Sequence, residues 1–203
     1  MSNVLAATAL FAALAAFGAA APAGGPFAPA AIDAIAGAGL LHVSVAKEVG
    51  GAELPVLEAI DVWAEIARAD GSSGWVSFAM DTALAYFGAY LPDAGADEVF
   101  ADGVPVVAGQ FAPNGTAVVE GDNLVLTGDY QFGSGIAHAV WAGAGMITVE
   151  EDGGDASYLM GCLPMDAIEL KGKWDVLGLQ ATASYDYTIR EQRLPRHRTF
   201  DFF

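Results

Sequence analysis

The sequence predicts an α+β protein, with an N-terminal α-helical domain over residues 1–103 and an antiparallel β-barrel or sandwich over residues 104–203. Two observations carry this. Up to Ala101 the apolar residues recur at three- and four-residue spacing, as on one face of a helix; from Val104 onward they alternate and glycines become frequent. A hydrophobic fraction of 54% over 203 residues is ample for a core of that size.

Residues 3–20 fit an Ala-rich helix whose bulky members are Leu5, Phe11, Leu14 and Phe17, interrupted by Pro22 to Pro29. The Val4–Ala21 run has the apolarity of a secretory signal but no Lys or Arg before it. A second helix is expected over Ala30–Ala38, stopped by Gly39, then an extended link from Leu40 to Glu48 and a turn at Gly50-Gly51. A third helix starts at Pro55 and runs to Ala69; its periodicity puts Val56, Ile60, Trp63 and Ala67 on the core face and Glu58, Asp61, Glu65 and Arg68 on the other. A fourth covers about Trp75–Tyr90, capped by Ser72 or Ser73 and ended by Pro92. A short helix around Asp97–Ala101 closes the first half.

Strands are expected near 104–109, 116–120, 124–132, 138–149, 157–163, 167–174 and 183–193. Gly121, Asp122 and Asn123 offer the left-handed conformations of a tight hairpin, and Glu151 to Asp155 reads as a second hairpin turn. Trp141 and Trp174 read as strand aromatics packed in the core.

Eight Lys and Arg against 25 Asp and Glu give a formal charge of −17, which excludes nucleic acid and anionic membrane surfaces as partners. Six of the eight cations (Lys171, Lys173, Arg190, Arg193, Arg196 and Arg198) fall in the last 33 positions. They read either as a solvated end or as one that meets a phosphate or an acidic neighbour. Cys162 is the only cysteine, so no intrachain disulfide is possible and the cytoplasm is the expected compartment. No histidine among His42, His138 and His197 has a second at metal spacing, so no metal site is expected; Ser134 is not in a Gly-x-Ser-x-Gly elbow, and no phosphate-loop motif occurs.

The most informative stretch is 121–135, where an alternating strand gives way to Phe132-Gly-Ser-Gly135. Glycines flanking Ser134 let main-chain N–H groups and a hydroxyl approach a flat ligand, and Phe132 adds an apolar face. An isoalloxazine ring asks for that combination, although a Gly-Ser-Gly after a strand also forms ordinary loops. His138, three residues on, either caps the barrel or lies near the ligand. Thr182 and Ser184 follow Gly178 in a turn, where they bond the local backbone or a ligand.

Four blocks, in order and spacing, carry a resemblance: Val45-Ala-Lys-Glu-Val-Gly-Gly51, Ala67-Arg-Ala-Asp-Gly-Ser-Ser-Gly-Trp75, Leu126-Thr-Gly-Asp-Tyr-Gln-Phe-Gly-Ser-Gly135 and Trp174-Asp-Val-Leu-Gly-Leu-Gln-Ala-Thr-Ala-Ser184. Residues 40–78 and 105–200 resemble the N-terminal and middle domains of the acyl-CoA dehydrogenase superfamily, most of all its two-component, flavin-dependent monooxygenases. The resemblance implies an oxidoreductase that binds FMN or FAD, receives it reduced from a separate flavin reductase, and uses O2 to hydroxylate an aromatic or other small organic substrate. It implies cofactor contacts from Phe111, Phe132, Ser134, Gly135, Thr182 and Ser184, with Trp75 and His138 beside the substrate cavity. The alternatives are an acyl-CoA dehydrogenase and a non-catalytic flavin-binding or interaction module. The segment Gly109 to Gly115 departs from the dehydrogenase pattern, and Gln180, Ala181 and Ala183 stand where the monooxygenases commonly carry Arg, Gly and Gly. Members of the family are longer, with a C-terminal helical domain that supplies the acid or base and builds a homo-oligomer. That domain is expected to be missing, which leaves Leu194, Phe200, Phe202 and Phe203 without a partner.

Overall fold

The computed structural model describes residues 29–149 and 155–202. The expected helix over 3–20 and most of the 151–155 turn lie outside them. Among these residues four α-helices come first: α1 (Pro29–Gly37), α2 (Val56–Ala69), α3 (Gly71–Tyr90) and α4 (Asp93–Val99). Seven strands follow: β1 (Val107–Glu120), β2 (Asn123–Gly133), β3 (Trp141–Val149), β4 (Tyr158–Pro164), β5 (Glu169–Lys171), β6 (Tyr185–Pro195) and β7 (Thr199–Asp201). They form one sheet in the order β5-β6-β2-β1-β3-β4-β7, antiparallel except where β1 and β3 run parallel. The α+β class is as the sequence reads. No described helix is long and apolar enough to cross a membrane.

The differences in the helical half have local causes. The cap of α3 is Asp70, whose carboxylate accepts from Ser73 N at 2.7 Å and Ser73 Oγ at 2.8 Å; a carboxylate one residue before Gly71 reaches the third helical N–H, so the serines fall inside the helix. In α2 the buried face is Ala59, Val62, Trp63 and Ile66, while Val56 and Ile60 are 67% and 47% exposed. The helix has two apolar stripes, and the periodicity alone does not say which of them faces the core. Leu40–Glu48 is not extended: it turns at 38–41 and again in a 3-10 helix at Lys47–Val49. The short helix spans Asp93–Val99, four residues earlier than its expected start.

In the sheet, the two expected strands at 104–109 and 116–120 are one strand, β1. Its pairing with β3 shifts between Gln110 and Gly115, where an irregular stretch holds Pro113, whose ring nitrogen has no hydrogen to give the ladder. The β1–β2 hairpin closes on Gly121-Asp122, and of those residues only Gly121 has positive φ. The third, sixth and seventh expected strands are β2, β5 and β6, with β5 cut to three residues. β7 was not expected; it pairs with β4 and buries Phe200, while Phe202 packs on Tyr86 and Phe111, so these two rings and Leu194 are covered by the chain itself.

Two buried tyrosines brace the sheet from within. Tyr130 on β2 and Tyr187 on β6 stack with ring centroids 4.8 Å apart, and their hydroxyls donate across the fold to Gly145 O at 3.0 Å and Gly143 O at 2.5 Å on β3. A Cβ at Gly128 would overlap the Tyr130 ring, so glycine there makes room for the brace.

Within the helical half a buried carboxylate ties α3 to the link between α1 and α2. Asp81 on α3 is fully buried and accepts from Ser44 N at 3.2 Å and Ser44 Oγ at 2.8 Å, and burial pushes its carboxyl up to about 6 despite those bonds.

Two outcomes are expected. Asp81 holds its proton more tightly folded than unfolded, so its stabilising contribution is complete below its ordinary value of 3.8 and is lost as pH rises through about 6. His42 and His138, whose imidazolium forms burial disfavours, act in the opposite sense in that range, and Glu98, held down to about 2 by Arg198, acts only at lower pH. Urea unfolding of the parent and Asp81→Asn between pH 4.5 and 7 isolates the aspartate: the parent loses stability relative to the variant as pH rises, by on the order of 3 kcal/mol in full. Glu191 sits at φ 48 in the bulge where β6 crosses Thr127, with its side chain exposed, so Glu191→Gly is expected to raise stability by about 1 kcal/mol in the same assay.

Candidate functional site

The end of β2, the start of α3 and the turn before β6 meet at one corner. Gly135 takes φ 73, and a Cβ there would overlap Met80 Cε and crowd Val76 Cγ1, so glycine lets the loop lie directly on α3. Gly135 N donates to Thr182 O at 2.9 Å, which ties the loop to the turn before β6.

A continuous line of hydrogen bonds follows. Trp75 Nε1 donates to Ser134 Oγ at 2.9 Å, Ser134 Oγ lies 2.8 Å from Ser184 Oγ, Ser184 Oγ lies 2.8 Å from Thr182 Oγ1, and Thr182 Oγ1 donates to Leu179 O at 2.9 Å. Counting hydrogens fixes its direction. Each hydroxyl has one hydrogen, and Thr182 gives its own to Leu179 O; Ser184 therefore donates to Thr182, and Ser134 to Ser184. Ser134, half-buried at the open end, offers a lone pair but no hydrogen.

The main-chain donors are used too. Ser134 N donates to Phe132 O at 2.8 Å and Phe132 N to Asp186 Oδ1 at 3.3 Å. The sequence suggests loop amides free for a ligand; the structure shows these amides closing the corner itself. Three non-glycine residues here, Phe132 (φ 58), Leu179 (φ 56) and Ala183 (φ 41), are left-handed, at about 1 kcal/mol or more apiece. Such strain concentrates where neighbours dictate the backbone, as at binding sites.

A cavity of about 190 Å³ opens beside the corner, lined by Gln131, Phe132, Ser184, Asp186 and the 171–176 loop. A larger cleft of about 440 Å³ continues from it over Leu170–Asp175 and Tyr185. Phe132 is 62% exposed and meets Trp174 edge to face at 6.2 Å between centroids. Trp174 is not a core strand residue: β5 ends at Lys171, and the indole lies in the following loop, donating to Leu179 O at 3.0 Å. Sequence reasoning missed it as a wall of the cavity, although the non-alternating Lys-Gly-Lys-Trp run before it marks the end of a strand. Trp141 stays on β3, under the Arg198 guanidinium at 5.2 Å.

Of the residues singled out from sequence, Trp75, Phe132, Ser134, Gly135, Thr182 and Ser184 come together here. Phe111 lies in an aromatic cluster with Tyr86, Phe87 and Phe202. His138 follows on the 3-10 helix Ile136–His138; its Nε2 is buried with no partner among the described residues, and burial lowers its pKa against the opposing pull of Asp33. Among the described residues no group of His, Cys, Asp and Glu is arranged to hold a metal.

Residues 5–104 match the family model for the acyl-CoA dehydrogenase N-terminal domain. Over those residues the chain belongs to the acyl-CoA dehydrogenase superfamily. Among its relatives, an indole-3-acetate monooxygenase of Acinetobacter baumannii is 29% identical over 164 residues, covering 80% of this chain and 41% of the relative. The flavin-dependent monooxygenase oxygenase subunit HsaA of Rhodococcus jostii is 27% identical over 138 residues, covering 68% and 36%. In structure, XiaF from a Streptomyces species, solved with FADH2 and glycerol, superposes with a TM-score of 0.88 at 27% identity over 98% of this chain and 50% of that one. The 3-HSA hydroxylase of a Rhodococcus species, at 21% identity and TM-score 0.90, shares the fold. The chain thus spans about a third to about a half of the length of these proteins.

The hydroxyl line is expected to respond unevenly to mutation. Ser184→Ala removes a buried link and leaves Thr182 Oγ1 without its donor, a cost of about 1–2 kcal/mol. Trp75→Phe removes an exposed one and costs less than about 1 kcal/mol. Urea titration of both variants against the parent measures the order; an equal cost would contradict the buried, one-way line.

Proposed function

We propose that this corner seats the ring of a flavin, FMN or FAD, and that the protein acts as the oxygenase component of a two-component monooxygenase hydroxylating an aromatic or other small organic molecule. The supporting observation is the cavity itself, walled by Phe132 and Trp174 and bordered by Ser184, whose hydroxyl lies 2.8 Å from the acceptor Ser134. A bound flavin supplies the redox chemistry, activating O2 when reduced.

The chain's own residues have separate tasks in this reading. Phe132 and Trp174 cover the ring and keep water from it. Ser134 accepts a hydrogen from the ring edge, and Trp75, Ser184 and Thr182 hold Ser134 in that role; Gly135 sets the loop's height above α3. A reduced isoalloxazine carries N–H groups where the oxidised ring has bare nitrogens, so an acceptor at Ser134 favours the reduced form. Phe111 and His138 belong to the site on resemblance alone, since among the described residues no side-chain hydrogen bond or ring contact joins them to the corner. We assign residues 1–103 and 104–203 as its two domains, a flavin reductase and further copies of the chain as its partners, and the cytoplasm as its compartment.

Spectral titration with FMN and FAD under air and under anaerobic reduction tests this. A shifted flavin spectrum is expected, with the reduced form held about tenfold more tightly, the equivalent of one hydrogen bond. Ser184→Ala frees the Ser134 hydrogen to turn toward the ligand and narrows that ratio. Absence of any spectral change sinks the reading, and an unchanged ratio in the variant sinks the role of Ser134. Peroxide formed from reduced flavin without substrate would mark the oxygenase activity.

A further inference from the structure

The larger cleft carries features that a flat ring does not need. It is lined by Lys171, Gly172, Lys173, Trp174 and Asp175 of the loop after β5, with Leu170 and Tyr185, and it shares the five loop residues with the cavity beside Phe132 and Ser184. Two of the chain's eight cations therefore stand in one concavity of a protein with formal charge −17.

Their pairing is unusual for such a chain. Six of the eight cations have a carboxylate within 4.0 Å; among the described residues Lys173 and Arg196 have none, and of these two only Lys173 lines the cleft. Lys171 is paired only loosely, 3.9 Å from an Asp129 oxygen that Arg190 already holds at 2.6 Å. With acidic residues outnumbering basic ones threefold, an ammonium group left unpaired beside a cavity points to an anion from outside the chain.

The loop backbone agrees. Gly172 takes φ 79 with open space where a Cβ would stand, and the amides of Lys173, Trp174 and Asp175 donate to no acceptor among the described residues. Successive free N–H groups beside a left-handed residue form a concave anion cradle. Asp175 and Asp186 border the same space and set a limit: the site suits one compact anionic group held by directed donors, not a broad polyanion.

We propose that the Lys171–Asp175 loop is a phosphate subsite, which takes the phosphate ester of the flavin nucleotide whose ring lies against Phe132. The proposal rests on the flavin reading above and goes beyond it by naming what holds the nucleotide's tail. Lys171 and Lys173 supply the charge, and the loop amides supply the direction.

Riboflavin has the ring and no phosphate, so it separates the two claims. Titration of the purified protein at low ionic strength is expected to show FMN binding about tenfold or more tighter than riboflavin, with the difference shrinking as salt is added. Lys171→Gln/Lys173→Gln, two surface changes, is expected to bring the ratio of FMN to riboflavin affinity down to about one. FAD in place of FMN tells a pyrophosphate from a terminal phosphate, since a subsite built for the monoester favours FMN. Equal binding of FMN and riboflavin by the parent, or a double variant that retains the FMN preference, overturns the subsite while the ring assignment stands. If no flavin binds, the ring assignment fails, and inorganic phosphate judges the loop alone: calorimetric binding lost in the double variant supports it, and no binding overturns it.

Discussion

The candidate site depends on how closely α3 lies against the sheet. Gly135 rests on Met80 and Val76, and that contact brings Trp75, at the start of the helix, within 2.9 Å of a hydroxyl on the far side of the loop. Helix and sheet therefore share one polar line, and neither half of the fold holds the corner alone. Asp70 contributes from below: capping α3 there adds a turn ahead of Trp75, so the indole leaves the helix from a hydrogen-bonded position and not from a fraying end.

The strand side is made rigid by a different device. Tyr130 and Tyr187 lie on β2 and β6, the strands whose ends carry Ser134 and Ser184, and both hydroxyls are anchored to β3. Burial pushes both phenols up, so they remain neutral donors, and their stacked rings fill the space that Gly128 leaves. A ligand arriving at the corner thus meets groups already fixed in relation to one another, and pre-organisation of this kind lowers the ordering cost of binding.

The sequence was legible where a local rule decides the outcome. Helix limits followed from Pro55 and Pro92, and the strand half from alternation and glycine. It was not legible where tertiary contacts choose between local options, as in the buried stripe of α2, the joining of two strands into β1, and β7, whose Phe200 only makes sense once β4 is beside it. Of the corner, Ser134, Thr182 and Ser184 were visible as small polar residues next to glycine turns. Their mutual bonds were not, since Ser134 and Ser184 are separated by fifty positions. Trp174 was hidden by the opposite error, an expected strand extended over a loop, while the two lysines were visible only as members of a basic C-terminal stretch.

Ala183 shows how far the surroundings override local preference. In the resembling monooxygenases glycine is common at this place, and the reason is visible in the backbone: φ is 41, a value that costs an alanine about 1 kcal/mol or more. The conformation persists because the turn is pinned on both sides, Thr182 through its carbonyl to Gly135 and its hydroxyl to Leu179, and Ala183 through its own carbonyl, which accepts from Tyr185 N at 2.7 Å. The alanine methyl is itself buried, which offsets part of the strain by about the value of one methyl group. The turn is therefore set by its contacts rather than by its own sequence, and the hydroxyl line it carries is held in one arrangement before any ligand arrives.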